Sequence, residues 1–174
     1  MFIMNIKFII KNIFPFLFFL FFTSFSLANE KDNKHQINLY IGNFDFSDHK
    51  QAAILVGFQH QDENLNRETF IGKISPITGL FVTENSAAYV YSGVEWNVDL
   101  GALTFTPSFA PGLYHKGDGK DLGHVLEFKS EVQLSYEISS ESSIGFSYNH
   151  VSNASLGDKN PGANSYMFNF LKKF

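Results

Sequence analysis

Leu126-Glu127-Phe128-Lys129-Ser130-Glu131-Val132-Gln133-Leu134-Ser135-Tyr136-Glu137-Ile138 alternates one residue at a time. Its even positions hold Leu, Phe, Ser, Val, Leu, Tyr and Ile, and its odd positions hold Glu, Lys, Glu, Gln, Ser and Glu. Successive side chains of an extended strand leave opposite faces, so this stretch forms a strand with one greasy face and one ionic face. A helix would scatter the same residues around its circumference.

The period of two recurs on both sides of this segment. Downstream, Ile144, Phe146 and Tyr148 oppose Ser143, Gly145, Ser147 and Asn149. Upstream, Leu103, Phe105 and Phe109 oppose Thr104, Thr106 and Ser108, while Ala88, Val90, Val94, Trp96 and Val98 oppose Glu95 and Asn97. With Gly, Asn, Asp, Ser and Pro as boundaries, the spacing predicts eight strands, at about 36–46, 50–60, 68–75, 87–98, 101–109, 123–137, 142–150 and 164–174. After the leader there is no apolar run long enough for a membrane helix, no amphipathic helical stretch and no internal repeat.

Alternation alone does not say which face is inside, because a secreted soluble barrel holding an apolar ligand would show it with the greasy face inward. Two features reverse that assignment. The polar faces carry charges of both signs, Lys73, Glu95, Glu127, Lys129 and Glu131, which suits the filled polar interior of a narrow membrane barrel. The chain also ends in a strand with aromatics at Tyr166, Phe168, Phe170 and Phe174, an ending that resembles the C-terminal assembly signal of outer-membrane barrels. Lys172 interrupts that stripe, where a lysine near a bilayer interface can snorkel to water. The expected fold is all-β: an eight-stranded antiparallel transmembrane β-barrel with a polar, filled interior.

Composition agrees with export. Nine of the 21 phenylalanines fall in residues 1–28, which pair a basic start, Lys7 and Lys11, with the apolar run 13–22 and small residues Ser26 and Ala28. This is the pattern of a signal peptide cleaved after Ala28, since the run is too short to span a bilayer and Pro15 interrupts it. Residues 29–174 then form a single barrel domain. Cleavage removes two lysines and no acid, leaving 11 basic and 17 acidic side chains, an acidic balance that argues against nucleic acid as a partner. The chain has no Cys, so no disulfide supports it.

With both ends of the barrel chain on the periplasmic side, loops at 150–164, 76–86 and 110–122 open at the outer surface, and short turns at 98–101 and 138–142 face the periplasm. The first outer loop, around 47–49, is short for this rule, and the turn 61–67 is long. His150 and Ser152 sit two apart where the seventh strand meets its loop, so their side chains leave the same face roughly 6.6 Å apart along the chain. An imidazole can reach a hydroxyl over that gap, and a His beside a Ser is the minimum for nucleophilic catalysis. Both extend the even stripe of Ile144, Phe146 and Tyr148, which places them on the lipid face at the outer rim. Membrane lipids, rather than water-soluble substrates, would meet them there.

The string His150-Val-Ser152-Asn153-Ala154, followed by Asn160-Pro161-Gly162, resembles the signature of the lipid A 3-O-deacylase (PagL-type) family, outer-membrane barrels that remove an ester-linked acyl chain from lipopolysaccharide. Upstream, Pro107-Ser-Phe-Ala-Pro-Gly-Leu-Tyr114-His115, Gly117-Asp-Gly-Lys-Asp-Leu-Gly-His124 and Leu126-Glu127-Phe128-Lys129-Ser130 are similar to the same family. The similarity spans about 74–174. It implies an outer-membrane ester hydrolase acting on lipid A, with His150 as base, Ser152 as nucleophile and Asn153 at the oxyanion hole, helped by the main chain of Ala154 and Ser155. No cofactor or metal is needed.

The chain departs from the family at one point: the acid falls on Asn164. Asn164 lies on the lipid-facing stripe of the last strand, so its place suits a third catalytic member. Its amide can orient an imidazole but brings no charge, and an Asp-to-Asn change in a serine protease costs about 10⁴-fold. The alternative function is therefore a non-catalytic structural or binding barrel of the same family. Asp158 and Glu127 are weaker substitutes for the acid. The run Gly117–Asp121 lacks the full EF-hand spacing and is expected to be an ordinary loop. His115 and His124 flank it without a third zinc ligand.

Overall fold

The computed structural model describes residues 35–48, 50–70 and 72–174; the leader at 1–28 lies outside them. Nine strands follow one another: β1 (His35–Phe44), β2 (Ala53–Asp62), β3 (Arg67–Thr69), β4 (Gly72–Thr83), β5 (Ala88–Asp99), β6 (Leu103–His115), β7 (Leu126–Ser139), β8 (Ser142–Ser152) and β9 (Ala163–Lys173). Eight of them form an antiparallel sheet in the order β2-β1-β9-β8-β7-β6-β5-β4, closed by pairing of β2 with β4. The ninth, β3, is a three-residue flap paired only to β4. Closure leaves the eight wall strands without a free edge, which is how a β-structure satisfies its backbone in lipid.

Most strand boundaries lie within three residues of the expected ones, the first outer loop widens from about 47–49 to 45–52, and two strands differ by more. The third segment, expected at 68–75, is the flap plus a strand continuing to Thr83, and β6 runs to His115 rather than ending at 109. The outer loops expected at 76–86 and 110–122 therefore shrink to 84–87 and 116–125. Pro76 and Pro111 fall in the segments expected as loops, and Pro107 lies inside the expected strand. Pro76 lies one place beyond the last β2 partner of β4, Ile77. Opposite Pro107 and Pro111 the β5–β6 register is interrupted, while the β6–β7 register runs through both, so each missing N–H leaves a rung unmade on one side only.

Parity holds around the barrel. On β7, Glu127, Lys129, Gln133 and Ser135 are buried, while Val132, Leu134 and Tyr136 face out. Outward Val90, Leu113, Phe146 and Phe168 are 59%, 61%, 49% and 63% exposed, among many large apolar side chains on the outer face that a soluble monomer would rarely expose together. An outward apolar face over a polar interior is the arrangement of a barrel in lipid, the reverse of a soluble barrel holding an apolar ligand.

The interior has two halves. Toward the loop end, Tyr40, Phe44, Leu55, Phe81, Tyr89, Tyr114 and Met167 form a packed plug, with ring centroids 5.4–5.7 Å apart from Phe44 through Phe81 and Tyr89 to Tyr91. Glycines make room for it: the rings of Tyr40, Tyr91 and Tyr89 lie across Gly57, Gly79 and Gly112. Below the plug, the Lys129 ammonium sits 4.2 Å from the Tyr91 ring and 3.1 Å from Glu131, so the buried charge is paired. Gln59 donates to Glu95 at 2.9 Å. The end that holds His35 and Lys173 opens into a polar cavity of about 680 Å³.

Candidate active site

The β8–β9 hairpin sets the site. Its register pairs His150 directly with Asn164, and on the other side β7 places Ser130 opposite His150 and Phe128 opposite Ser152. Both strands keep even residues outward, so His150 and Asn164 meet on the outer surface of the barrel at its loop end. Cβ atoms of directly opposed residues are about 4.5–5.5 Å apart, within reach for a side-chain bond.

That bond is made. His150 Nδ1 lies 2.8 Å from Asn164 Oδ1, and the Tyr148 hydroxyl donates to the same oxygen at 2.8 Å. The Asn164 amide in turn donates to Ser47 Oγ at 3.4 Å, and the Phe46 backbone N–H donates to the Asn164 carbonyl at 3.0 Å, tying the first loop to β9. An amide oxygen has no proton, so Nδ1 must supply the hydrogen, and in the neutral ring Nε2 then keeps its lone pair. The ring is thereby in the tautomer that a general base requires.

The turn after β8 is strained. Ala154 and Ser155 are both left-handed, with φ of 52° and 64°, which costs about 1–2 kcal/mol each for a residue with a side chain. Asn153 holds the turn in place: fully buried, it donates both amide hydrogens, to the carbonyls of Leu122 at 2.7 Å and Lys159 at 2.8 Å. Its backbone N–H donates to Asn160 Oδ1 at 3.1 Å. The backbone N–H groups of Ala154 and Ser155 have no acceptor among the described residues. A strained turn presenting two open donors is a shape found at functional sites.

Gly162 closes the far side. It has φ of 61°, and a Cβ there would lie 2.6 Å from His150 Cε1 and 3.1 Å from Nε2. Only a residue without a side chain leaves the imidazole edge open. In Asn160-Pro161-Gly162, then, Asn160 steadies the turn and Gly162 leaves space for the ring.

The same loop is clasped from outside. Asp121 binds Lys159 at 3.1 Å and Lys116 at 3.4 Å and accepts the Gly123 N–H at 3.0 Å. The bond from Lys159, followed by that from Gly123, holds the Asp121 carboxyl below its ordinary value. A depressed carboxylate stabilises above the unfolded value of about 3.9 and loses its contribution as pH falls through the lower folded one. Protection of the amides across 153–162, taken relative to their intrinsic exchange rate at each pH, is therefore expected to be unchanged from pH 7 to about 5 and to fall below about 4, a loss that Asp121→Asn shows already at pH 7.

Ser152 is half-buried at the end of β8, and among the described residues its hydroxyl makes no hydrogen bond, to His150 or to anything else. Glu127 faces the interior, on the opposite side of β7 from Phe128, and Asp158 is exposed in the loop; neither bonds to His150. His124 Nδ1 is engaged with the Leu126 backbone. Tyr148, Ser47 and Gly162 were not singled out from sequence. Gly162 sat in a quoted motif, but its role needed the position of the ring.

A model of the lipid A 3-O-deacylase (PagL) family matches residues 43–173. Among solved structures, the crystal structure of the outer membrane enzyme PagL superposes with a TM-score of 0.63 at 15% identity, covering 80% of this chain and 99% of that one. A de novo designed transmembrane β-barrel superposes with a TM-score of 0.54 at 10% identity, covering 84% and 100%. No curated protein matches. At these identities the structural likenesses speak for the fold, and the family match speaks for kinship.

Proposed function

Since the chain belongs to the lipid A 3-O-deacylase (PagL) family and is an outer-membrane β-barrel, we propose that it removes an ester-linked acyl chain from lipid A by a Ser-His mechanism. One observation carries this reading: His150 Nδ1 is held by Asn164 Oδ1, which leaves Nε2 as the lone-pair nitrogen of the neutral ring, on the outward face and on the same strand face as Ser152.

In the proposed reaction Ser152 Oγ attacks the ester carbonyl while His150 Nε2 takes its proton. The N–H groups of Ala154 and Ser155 receive the developing oxyanion, where one lost donor typically costs about 10²–10³-fold. Asn153 serves this hole by holding the turn, since both hydrogens of its amide are already engaged. Collapse breaks the C–O bond, and His150 returns the proton to the departing lipid hydroxyl. Water then attacks the acyl-serine, again giving its proton to His150, and the fatty acid leaves with Ser152 restored. The acyl chain would lie along the outward apolar face beside Ser152, which includes the stacked pair Phe128 and Phe109, centroids 6.0 Å apart.

Asn164 does not make the site inert in this scheme. Much of the about 10⁴-fold loss in the protease case comes from the wrong tautomer, and here the tautomer is the useful one. What is missing is charge against the imidazolium, the difference between a neutral and a charge-assisted hydrogen bond, about 1–2 kcal/mol. Asn164→Asp is accordingly expected to speed deacylation of lipopolysaccharide by the reconstituted barrel about tenfold, read as kcat. The non-catalytic alternative, in which Asn164 in place of the acid has abolished turnover, predicts no product from the wild type.

A further inference from the structure

An amide in the place of a carboxylate has a wrong face. Both oxygens of a carboxylate accept, so either suits the imidazole. If Asn164 turned over, its NH₂ would meet His150 Nδ1, the ring proton would move to Nε2, and the base would be lost. The flipped pair is as well bonded as the observed one, so something outside it must choose.

We propose that Tyr148 is the positioning residue that makes this choice, acting as a lock on the orientation of the Asn164 amide and through it on the tautomer of His150. This rests on the hydrolase reading for its consequence in rate, but not for its geometry. Tyr148 lies two residues before His150 on the same outward stripe, and its hydroxyl donates to Asn164 Oδ1 at 2.8 Å, sharing that oxygen with His150 Nδ1. With the amide turned over, the phenol oxygen could accept from the NH₂, but the phenol proton would lose its acceptor on a lipid-covered face. Ser47 does not choose, because its hydroxyl rotates to accept from the amide or to donate to it. The ring itself is braced by Phe46, whose centroid is 6.3 Å away edge-on.

The lock predicts an effect that depends on what it locks. Tyr148→Phe in the natural protein should lower kcat about twofold with KM unchanged, because without the lock the two amide orientations are equally bonded and about half of the molecules hold the useful tautomer. In the Asn164→Asp background the same change should not halve kcat, because a carboxylate has no wrong face and every molecule keeps the useful tautomer. A second readout does not involve turnover. In the ¹⁵N-histidine spectrum of the folded barrel, at a pH where imidazoles are neutral, His150 is assigned among the six histidines by its loss in His150→Gln. It should be protonated at Nδ1 in the wild type, mixed in Tyr148→Phe, and protonated at Nδ1 again in Tyr148→Phe/Asn164→Asp. An unchanged tautomer in Tyr148→Phe, or an equal loss of rate in both backgrounds, overturns the lock. If the wild type proves inactive, the spectrum still decides the lock, so the two ideas fail separately.

Discussion

Ser152→Ala is expected to reduce release of the acyl chain by at least about 10³-fold while leaving the barrel as stable as before. The first part follows from removing the nucleophile: in triad hydrolases, loss of one member leaves only the catalysis supplied by the oxyanion hole and by binding. The second follows from the surroundings. Among the described residues the Ser152 hydroxyl bonds to nothing, so its loss strands no buried partner. KM should change little for the same reason. Steady-state release of fatty acid from lipopolysaccharide, together with a denaturant unfolding curve, checks both halves. A loss of activity accompanied by a lower unfolding midpoint would assign Ser152 a structural role instead.

Gly162→Ala is expected to cost about 10²-fold in kcat. Two penalties coincide at this position. At a φ of 61° an alanine is strained, and its methyl would sit 2.6 Å from His150 Cε1 and 3.1 Å from Nε2, closer than carbon atoms approach. The ring must move, and displacing a catalytic group by about 1 Å is worth about 10²-fold in rate. Gly101→Ala separates the two penalties. Its φ of 84° carries the same backbone strain, yet a Cβ there meets nothing within 4 Å and lies at the opposite end of the barrel. That variant should lose some stability and no activity. If both variants lower kcat equally, the effect is global, and Gly162 has no particular bearing on His150.

The barrel was legible because each wall strand repeats one decision, lipid or interior, at every second residue, and Leu126 to Ile138 states it thirteen times in succession. The ends of β4 and β6 were less legible. Proline and glycine mark turns in most sheets, but Pro111, like Pro107 inside the expected strand, stays in the wall by giving up a rung on one side, a device visible only in the register with β5 and β7. At the site, parity was enough to put His150 and Ser152 on the outward face, because it needs only sequence spacing. The part played by Tyr148 was hidden for the same reason. On its own strand it is one more aromatic in the lipid stripe, and only the pairing of β8 with β9 brings its hydroxyl to Asn164. Asn153 was read as a donor to the oxyanion from its place beside Ser152; its actual partners, the carbonyls of Leu122 and Lys159, lie in loops whose approach no local pattern records.

The central claim, an ester hydrolase working on the lipid face of the barrel, is tested most directly by weighing lipid A. The purified full-length barrel, folded in detergent, is incubated with lipopolysaccharide, and the lipid A is examined by mass spectrometry beside an equal amount of Ser152→Ala. Loss of one ester-linked acyl chain from lipid A, with the matching free fatty acid, in the wild-type sample alone is the predicted result. Lipid A of unchanged mass in the wild-type sample, or the same shortened product in both, would contradict it.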